Sequence, residues 1–275
     1  MVLNEAYNMK MKMQAGEKVY GTLIGPGNVP EKTVRALRDL GFDFFMVDLE
    51  HSLVNKETIW EYIRTSRKTD MPAMIRVEDK AAYFRRYIDA GVNGLMLPQV
   101  DTVEEAAQIV NKAYFPPIGN RGTGIGLSPY MIDGQDLAKV PFLSLTEYVN
   151  NNTVIFPQTE SLENIRNLPH ILSLEGITGT VVGPYDLALN IGGVDSKAVG
   201  TEMVATPVME EKMKRVAEIC QKAGKIAGIG GQTPKALARR AKEGYQFFLI
   251  GSVVDGNVEN LRPVIKEAKA LIGQV

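Results

Sequence analysis

The chain has 275 residues, of which 45% are hydrophobic and 23% are charged, and its formal net charge is -1. These values are typical of a soluble globular protein and fit one large α/β domain. The near-neutral charge without basic runs argues against nucleic acid as a partner, and no apolar stretch approaches the roughly 20 residues that cross a membrane.

Eight short apolar runs alternate with charged, helical segments along the whole chain. This alternation is typical of repeated βα units around a parallel sheet, and eight units predict a (β/α)8 TIM barrel. We predict a single domain over residues 1–275 with a C-terminal helical extension; an open, doubly wound sheet is the alternative. The predicted strands are 18–25, 44–50, 72–77, 94–100, 153–160, 178–186, 225–231 and 245–252.

Two segments interrupt this alternation. Residues 116–152 are rich in Gly and Pro and too long for an ordinary βα connection, so we expect a functional loop or a contact between subunits. A second insertion runs from Leu187 to about Pro207.

Cysteine usage and the start of the sequence bear on the compartment. Cys220 is the one cysteine, which excludes a disulfide framework, and its amphipathic surroundings predict a packed, inert thiol. The first residues are too polar for a secretory signal. We therefore expect a cytoplasmic protein with no membrane partner.

Polar residues follow the second predicted strand at its carboxyl end, where barrels of this class build their active sites. They are Asp48, Glu50 and His51. Either carboxylate can orient the imidazole and raise its basicity, so His51 is a candidate proton-transfer residue. The alternative is a histidine that only caps the strand.

Two more carboxylates, Glu160 and Asp186, end the fifth and sixth predicted strands. Because these strands are consecutive, the two side chains can converge. With water and a bidentate substrate they would form an octahedral site for magnesium or manganese, with cobalt as a further candidate. The alternative is two separate ion pairs. Zinc is disfavoured because only one histidine lies at these strand ends.

Arg76 and Gln158 also lie at strand ends. A charge there needs a partner, so Arg76 is either a substrate contact or part of a structural ion pair. No predicted strand ends in lysine, which disfavours a Schiff-base aldolase. Carbonyl chemistry at this end of the barrel would therefore depend on a metal.

Several segments in order along the chain resemble the HpcH/HpaI family of metal-dependent 2-keto acid aldolases. They are GFDFFMVDLEHS, MIRV, DAGVNGLMLPQVDTVEEA, FPPIGNRGTG, FPQTES and VVGPYDLALNIG. The resemblance spans about residues 21–251 and implies a (β/α)8 barrel, usually a hexamer with a C-terminal helix exchanged between subunits. It implies reversible cleavage of 4-hydroxy-2-oxo acids to pyruvate, or a close analogue, and an aldehyde.

The resemblance also implies roles for individual residues. Glu160 and Asp186 would be the metal ligands, Arg76 would contact the keto oxygen, and His51 with Asp48 would form the acid–base pair. The remaining residues would bind substrate: Gln158 in the pocket, and the turn of Gly183, Pro184, Tyr185 and Asp186 around the pyruvate carboxylate. Leu23 and Tyr185 depart from the residues common in the family and border the aldehyde side, so the aldehyde itself is not predicted.

Other functions fit parts of the same pattern. Oxaloacetate decarboxylation and citrate-lyase-like thioester cleavage also use a metal-held enolate. The glycine-rich segments 228–231 and 250–252 would suit a phosphate-binding isomerase or lyase. A catalytically silent barrel that serves as a binding subunit is the remaining alternative.

Overall fold

The protein folds into a closed barrel of eight parallel strands, in which each strand pairs with the next and the eighth pairs with the first. The computed structural model describes residues 9–80, 83–124 and 140–273. The closed sheet confirms the predicted (β/α)8 TIM barrel and excludes the open sheet.

Each predicted strand corresponds to one strand of the barrel, but several end earlier than predicted. The bounds are β1 Val19–Ile24, β2 Phe44–Asp48, β3 Ala73–Arg76, β4 Gly94–Leu97, β5 Val154–Thr159, β6 Gly179–Val182, β7 Ile226–Ile229 and β8 Tyr245–Val253. The largest difference lies after β6. Asp186 does not end a strand as predicted but lies in the first turn of the next helix, because Pro184 begins that helix.

Helices connect the strands and surround the barrel. Several start with a side-chain oxygen that accepts a backbone N–H of the first turn, as Asn55, Thr102, Ser161, Thr206 and Thr233 do. The helices are α1 Met9–Gln14, α2 Pro30–Asp39, α3 Lys56–Thr69, α4 Arg85–Ala90, α5 Val103–Ala113, α6 Phe142–Asn152, α7 Leu162–Ser173, α8 Pro184–Ile191, α9 Pro207–Ala223, α10 Pro234–Lys242 and α11 Leu261–Ile272. Among the described residues, none of these helices is both long and apolar enough for a membrane span.

Apolar side chains fill two layers. The outer layer lies between the strands and the surrounding helices and includes Val47 and Ile75. The inner layer fills the barrel itself, where the rings of Phe44 and Phe156 lie 4.6 Å and 4.8 Å from the ring of Phe247. The three rings are fully buried, and each such burial contributes about 1.5–3 kcal/mol. The barrel is therefore a packed core with free space only at its ends.

Helix α1 lies against the amino-terminal end of the barrel. Met9 and Met13, one turn apart, are buried in the inner apolar layer. Gln246 of β8 donates a hydrogen bond of 2.9 Å to the carbonyl of Met13. Helix α1 thus closes the end opposite to the strand ends that carry the predicted site.

The prediction of a loop over residues 116–152 is wrong for its last part, because Phe142–Asn152 form helix α6. Leu145 and Val149 lie four residues apart and are buried on one face of this helix. Residues 125–139 of the same segment lie outside the described residues. The second predicted insertion begins within α8 and contains a 3-10 helix over Gly200–Val204.

Cys220 is buried in helix α9, as the sequence predicts. Burial raises the pKa of its thiol to about 12. The thiolate is therefore disfavoured, which is the property of a structural rather than a reactive cysteine.

Candidate active site at the carboxyl end of the barrel

A cavity of about 300 Å³ lies at the carboxyl ends of the strands. It is lined by side chains and backbone from seven strands or the segments after them: Leu23, Arg76, Met96, Gln158, Val181, Val182, Gly183, Pro184, Tyr185, Asp186, Gly230, Gly231, Leu249, Gly251 and Ser252. All the residues predicted to bind substrate are among them. The strand order brings them together, because parallel strands in a barrel end on the same side.

Arg76 is held by two carboxylates from the end of the neighbouring strand. Its Nε and Nη2 donate to the two carboxylate oxygens of Asp48 at 2.8 Å and 2.6 Å. Its Nη1 lies 3.2 Å from Oε2 of Glu50. This two-point contact fixes the plane of the guanidinium, which also lines the cavity. The sequence left open whether Arg76 contacts substrate or forms a structural ion pair. The ion pair is present, and Arg76 still lines the cavity.

The same contacts decide which carboxylates stay ionised. Burial raises the pKa of Asp48, but the hydrogen bonds and charge of Arg76 outweigh that effect and hold the pKa below its usual value. For Glu50, burial prevails over the attraction of Arg76 and His51, so its pKa is raised. Asp48 is therefore the fixed anion of this cluster.

The imidazole of His51 lies beside Glu50 rather than Asp48. His51 Nε2 is 3.6 Å from Glu50 Oε2, and 61% of the side chain is exposed. Asp48 instead accepts hydrogen bonds from the backbone N–H groups of Glu50 and His51, at 3.1 Å and 3.4 Å. The carboxylate nearest the ring is thus Glu50, one of the two that the sequence left open, and not the Asp48 that the resemblance implies.

Glu160 follows β5 and is almost entirely buried. Its Oε1 accepts from Gln158 Nε2 at 2.7 Å, and its Oε2 accepts from the backbone N–H of Gln99 at 3.0 Å. Gly183 makes room for this carboxylate, since a Cβ there would lie 2.6 Å from Oε1. Burial raises the pKa of Glu160 to about 7, and the charges of Glu50 and Asp186 add to the rise.

Asp186 lies in the first turn of α8, which begins beside Glu160. The N–H of Gly183 donates to the carbonyl of Thr159 at 3.1 Å, and Pro184 has no N–H. The next two amides, of Tyr185 and Asp186, belong to the first helical turn, whose N–H groups have no partner within the helix. These two N–H groups lie at the positive end of the helix dipole and therefore suit an anionic substrate group.

The charges of this site fit a divalent cation. Four carboxylates, of Asp48, Glu50, Glu160 and Asp186, lie near one guanidinium; the pKa of Glu160 is raised mainly by burial, and the charges of Glu50 and Asp186 act in the same direction. Gln158 Oε1 is buried without a hydrogen-bond partner. The described residues contain no group of three or more His, Cys, Asp or Glu able to hold a metal.

The opposite side of the cavity is made of glycine-rich turns after β7 and β8. Gly231 has a φ of 65°, and a Cβ there would lie 2.8 Å from the ring of Tyr185. Gly230 and Ser252 line the same space. The segments considered for phosphate binding therefore share one cavity with Arg76 and Gln158 instead of forming a separate site.

Reasoning from the sequence missed a support behind Glu160. Gln99 has a φ of 52°, an unusual value for a residue other than glycine, and this conformation directs its N–H at Glu160. Lys80 Nζ donates to the carbonyl of Gln99 at 2.6 Å and pairs with Glu105 at 2.5 Å. Nothing in the residue types Lys80 or Gln99 signals this arrangement.

Comparison with known proteins identifies the family of the chain. The family model described as HpcH/HpaI aldolase/citrate lyase matches residues 26–255. The chain belongs to this family. Membership in the HpcH/HpaI family confirms that the protein is an enzyme, a carbon–carbon lyase.

A curated HpcH/HpaI relative, 2-keto-3-deoxy-L-rhamnonate aldolase of Salmonella typhimurium, is 26% identical over 216 residues, which cover 77% of this chain and 74% of that relative. An HpcH/HpaI aldolase structure from Desulfitobacterium hafniense has a TM-score of 0.78 at 24% identity and covers 97% of both chains. The protein CitE of Mycobacterium tuberculosis, solved with magnesium and pyruvate, has a TM-score of 0.57 at 13% identity and covers 94% of this chain and 91% of that one. The two structural likenesses support the fold.

Proposed function

We propose that this enzyme is a divalent-metal-dependent aldolase that reversibly cleaves 4-hydroxy-2-oxo acids into pyruvate, or a close analogue, and an aldehyde. The observation that carries the proposal is the buried carboxylate of Glu160 near Asp186. Asp186 lines the same cavity as Arg76, whose guanidinium is held by Asp48. A 2-oxo acid has a carboxylate and a keto oxygen next to each other. A cation, a guanidinium and a helix N-terminus around one small cavity match that pair of groups.

In this proposal Glu160 and Asp186 hold the metal, and magnesium or manganese suits two carboxylates best because both prefer oxygen ligands. When bound, the metal would act as a Lewis acid that stabilises negative charge on the keto oxygen. A requirement for a divalent metal fits the family.

Arg76 binds the keto oxygen of the substrate and stabilises the enolate that forms when the bond between C3 and C4 breaks. Its contacts with Asp48 preset its orientation, so little reorganisation accompanies the reaction. The amides of Tyr185 and Asp186 bind the substrate carboxylate at the start of α8. Gln158 lines the same space, and its buried Oε1 has no hydrogen-bond partner among the described residues.

His51 moves the proton of the reaction. As a base it takes the proton from the C4 hydroxyl, the C3–C4 bond breaks, and its electron pair goes to the enolate of pyruvate while the aldehyde leaves. The enolate then takes a proton at C3. Glu50, 3.6 Å from His51 Nε2, stabilises the protonated ring between these steps. The exposed position of His51 gives the departing aldehyde and solvent access to the same group.

Leu23 and Tyr185 border the part of the cavity that the aldehyde portion occupies. Leu23 is partly buried at the end of β1, next to the inner apolar layer. An apolar wall of this kind favours a short aldehyde without a charge at its far end.

The test is pyruvate release from a panel of 4-hydroxy-2-oxo acids of increasing length, with oxaloacetate included. We expect activity with magnesium or manganese, loss of activity after EDTA treatment, and recovery when metal is restored. No pyruvate from any panel member, or turnover that EDTA leaves intact, would refute the proposal. Carbon dioxide release from oxaloacetate, without cleavage of any hydroxy acid, would replace aldolase by decarboxylase activity.

The assembly is a separate part of the proposal. In this structure α11 packs against α10 and β8 of its own chain, and the hexamer with an exchanged C-terminal helix stays a prediction. Light scattering gives the mass of the assembly directly, and a monomer at micromolar concentration would contradict it.

A further inference from the structure

A second cavity, of about 470 Å³, lies at the amino-terminal end of the barrel, opposite to the proposed active site. Helix α1, the turn before β6, the turn before β7 and the start of β8 surround it. Its lining residues are Lys10, Met13, Gln14, Gly16, Gly176, Ile177, Thr178, Gln221, Gly224, Lys225, Ile226, Gly244 and Gln246. The proposed lyase reaction uses none of them.

Two lysines line this cavity, and both are partly buried. Lys10 Nζ donates one hydrogen bond of 3.1 Å, to the carbonyl of Thr153. Lys225 Nζ donates to the carbonyls of Ile177 at 2.6 Å and Leu174 at 3.5 Å. An ammonium has three N–H donors, so the hydrogen bonds to described residues leave two donors on Lys10 and one on Lys225 for a group inside the cavity.

The positive charge of the cavity is not balanced by its lining. Within the described part of the chain, no Asp or Glu is among the lining residues. Burial, together with repulsion by Lys225, lowers the pKa of Lys10 to about 8. Glu175 attracts Lys225 from outside the cavity, yet burial still lowers the pKa of that lysine. Two like charges that cost the fold stability are the signature of a site for the opposite charge.

The remaining lining combines apolar side chains, of Met13, Ile177 and Ile226, with polar groups. Gln14, Gln221 and Gln246 supply amide groups, two of which donate one hydrogen bond to a neighbouring carbonyl. Gly176 and Gly244 occupy turns with φ values of 93° and 101°, which other residues rarely adopt. The space is larger than a phosphate or a small phosphorylated metabolite requires.

We propose that this amino-terminal cavity binds a small polyvalent oxyanion of the phosphate class between Lys10 and Lys225. Lysine binds phosphate as a point charge and needs no planar, two-point geometry, which suits two ammonium groups on separate elements. One lysine belongs to α1 and the other to the turn before β7. The bound anion therefore links α1 to the barrel and stabilises the closed amino-terminal end. The proposal is independent of the reaction at the other end.

The experiment is thermal unfolding of the magnesium-loaded enzyme in inorganic phosphate, compared with chloride at equal ionic strength. For a Kd of about 1 mM, about 20 mM phosphate raises the Tm by about 4 °C in a chain of this size. Lys10→Met and Lys225→Met should each abolish that increase, while Lys225→Arg should keep most of it. Glycerol 3-phosphate in a parallel arm shows whether the phosphate group alone or a phosphorylated metabolite is preferred.

Lys222→Met is the matched control, because Lys222 lies in the last turn of α9, shortly before Lys225, is exposed and does not line the cavity. It should keep the full increase in Tm. Each increase is measured against the same variant without phosphate, so a change in basal stability does not affect the result. Hydrogen exchange gives a second measurement: phosphate should slow exchange of the α1 amides in the wild type and in Lys222→Met, but not in Lys10→Met or Lys225→Met. No increase in the wild type, or an equal increase in all four variants, would overturn the proposal.

Discussion

The two ends of the barrel differ in the sign of their charge and in what covers them. At the carboxyl end, Arg76 and Asp186 line a cavity, and the carboxylates of Asp48, Glu50 and Glu160 lie close to these two residues. At the amino end, Lys10 of α1 and Lys225 line a second cavity, and the methionines of α1 are buried in the inner apolar layer. Between them, stacked phenylalanine rings fill the interior.

This difference shows how one scaffold separates stability from chemistry. Side chains in the middle of the strands face a closed interior and gain free energy by burial, so they are apolar. Strand ends adjoin turns that need not pack, so charged groups can remain there if they have partners. At the carboxyl end the carboxylates outnumber the cationic side chains beside them. This excess of negative charge lowers the stability of the fold, and a bound cation would offset it.

The largest expected effect is that of Glu160→Gln at the carboxyl end. It removes a proposed metal ligand while keeping the size of the side chain, and we expect activity to fall more than about 1,000-fold, because electrostatic stabilisation is usually the largest catalytic contribution. Manganese binding, measured by calorimetry, should be lost as well. Glu163→Gln, an exposed residue of the α7 first turn, is the control. Normal metal affinity in Glu160→Gln would disprove its role.

Next is Phe247→Ala in the middle of the barrel, where we expect the free energy of unfolding to fall by about 3–5 kcal/mol. The reason is the loss of both ring contacts, with Phe44 and Phe156. Denaturant unfolding measures the change. Activity per folded molecule should stay near that of the wild type, since Phe247 does not line the active-site cavity. A selective loss of turnover at unchanged stability would show that the middle and the carboxyl end are not separate.

The sequence predicts the middle of the barrel better than its carboxyl end. The alternation of apolar runs and amphipathic helices is enough to predict eight βα units, because burial imposes that pattern on every unit. Helix α6 was missed since its sequence, FLSLTEYVNNN, lacks charged residues and follows a Gly- and Pro-rich stretch. The partner of His51 was not decidable: Asp48 and Glu50 are equally near in sequence, and only the two-point contact of Arg76 assigns Asp48 elsewhere.

The position of Asp186 illustrates a similar limit. The run TGTVVGPYD reads as one strand with a carboxylate at its end, but the observed strand stops at Val182. Whether Pro184 lies at the end of a strand or at the start of a helix depends on the packing of α8. The Gln99 backbone contact has no sequence signal, because it depends on a φ angle and not on a side chain.

Arg76→Met tests the arginine of the carboxyl end. We expect kcat to fall by about 100- to 1,000-fold, the usual effect of removing one donor to a developing oxyanion. The change also leaves Asp48 without its main partner, so the pKa of Asp48 should rise. The double variant Arg76→Met/Asp48→Asn removes that unpaired charge; it should recover stability but not kcat. Arg64→Met, an exposed arginine paired with Glu61, is the control and should behave like the wild type.

Lys10 gives the amino end a pH dependence. Its pKa is lowered to about 8 in the fold, so the unfolded chain binds more protons between about pH 8 and pH 10.5. Stability without phosphate should therefore rise through this window, by on the order of 2 kcal/mol, relative to Lys10→Met. Chemical denaturation at several pH values measures the difference between the two proteins. If the free energy of unfolding changed with pH in the same way in the wild type and in Lys10→Met, the ammonium of Lys10 would not lower the stability of the fold.

The smallest effect concerns the support behind Glu160. Lys80→Met removes the hydrogen bond to the Gln99 carbonyl and the pair with Glu105. Groups behind a metal ligand usually contribute 10- to 100-fold to metal affinity, and for this partly exposed lysine we expect about 10-fold. Lys80→Arg should restore part of it, and Lys112→Met, exposed on α5, should change nothing.

Gln99→Gly separates strain from positioning at the same place. Glycine adopts a φ of 52° without the cost that other residues bear, so a purely structural role predicts equal or higher stability and unchanged metal binding. If the left-handed conformation serves to hold the N–H against Glu160, the added backbone freedom should weaken manganese binding while the Tm holds or rises. Stability and affinity would then move in opposite directions, as expected where a strained residue is maintained for its contact with a ligand-binding group.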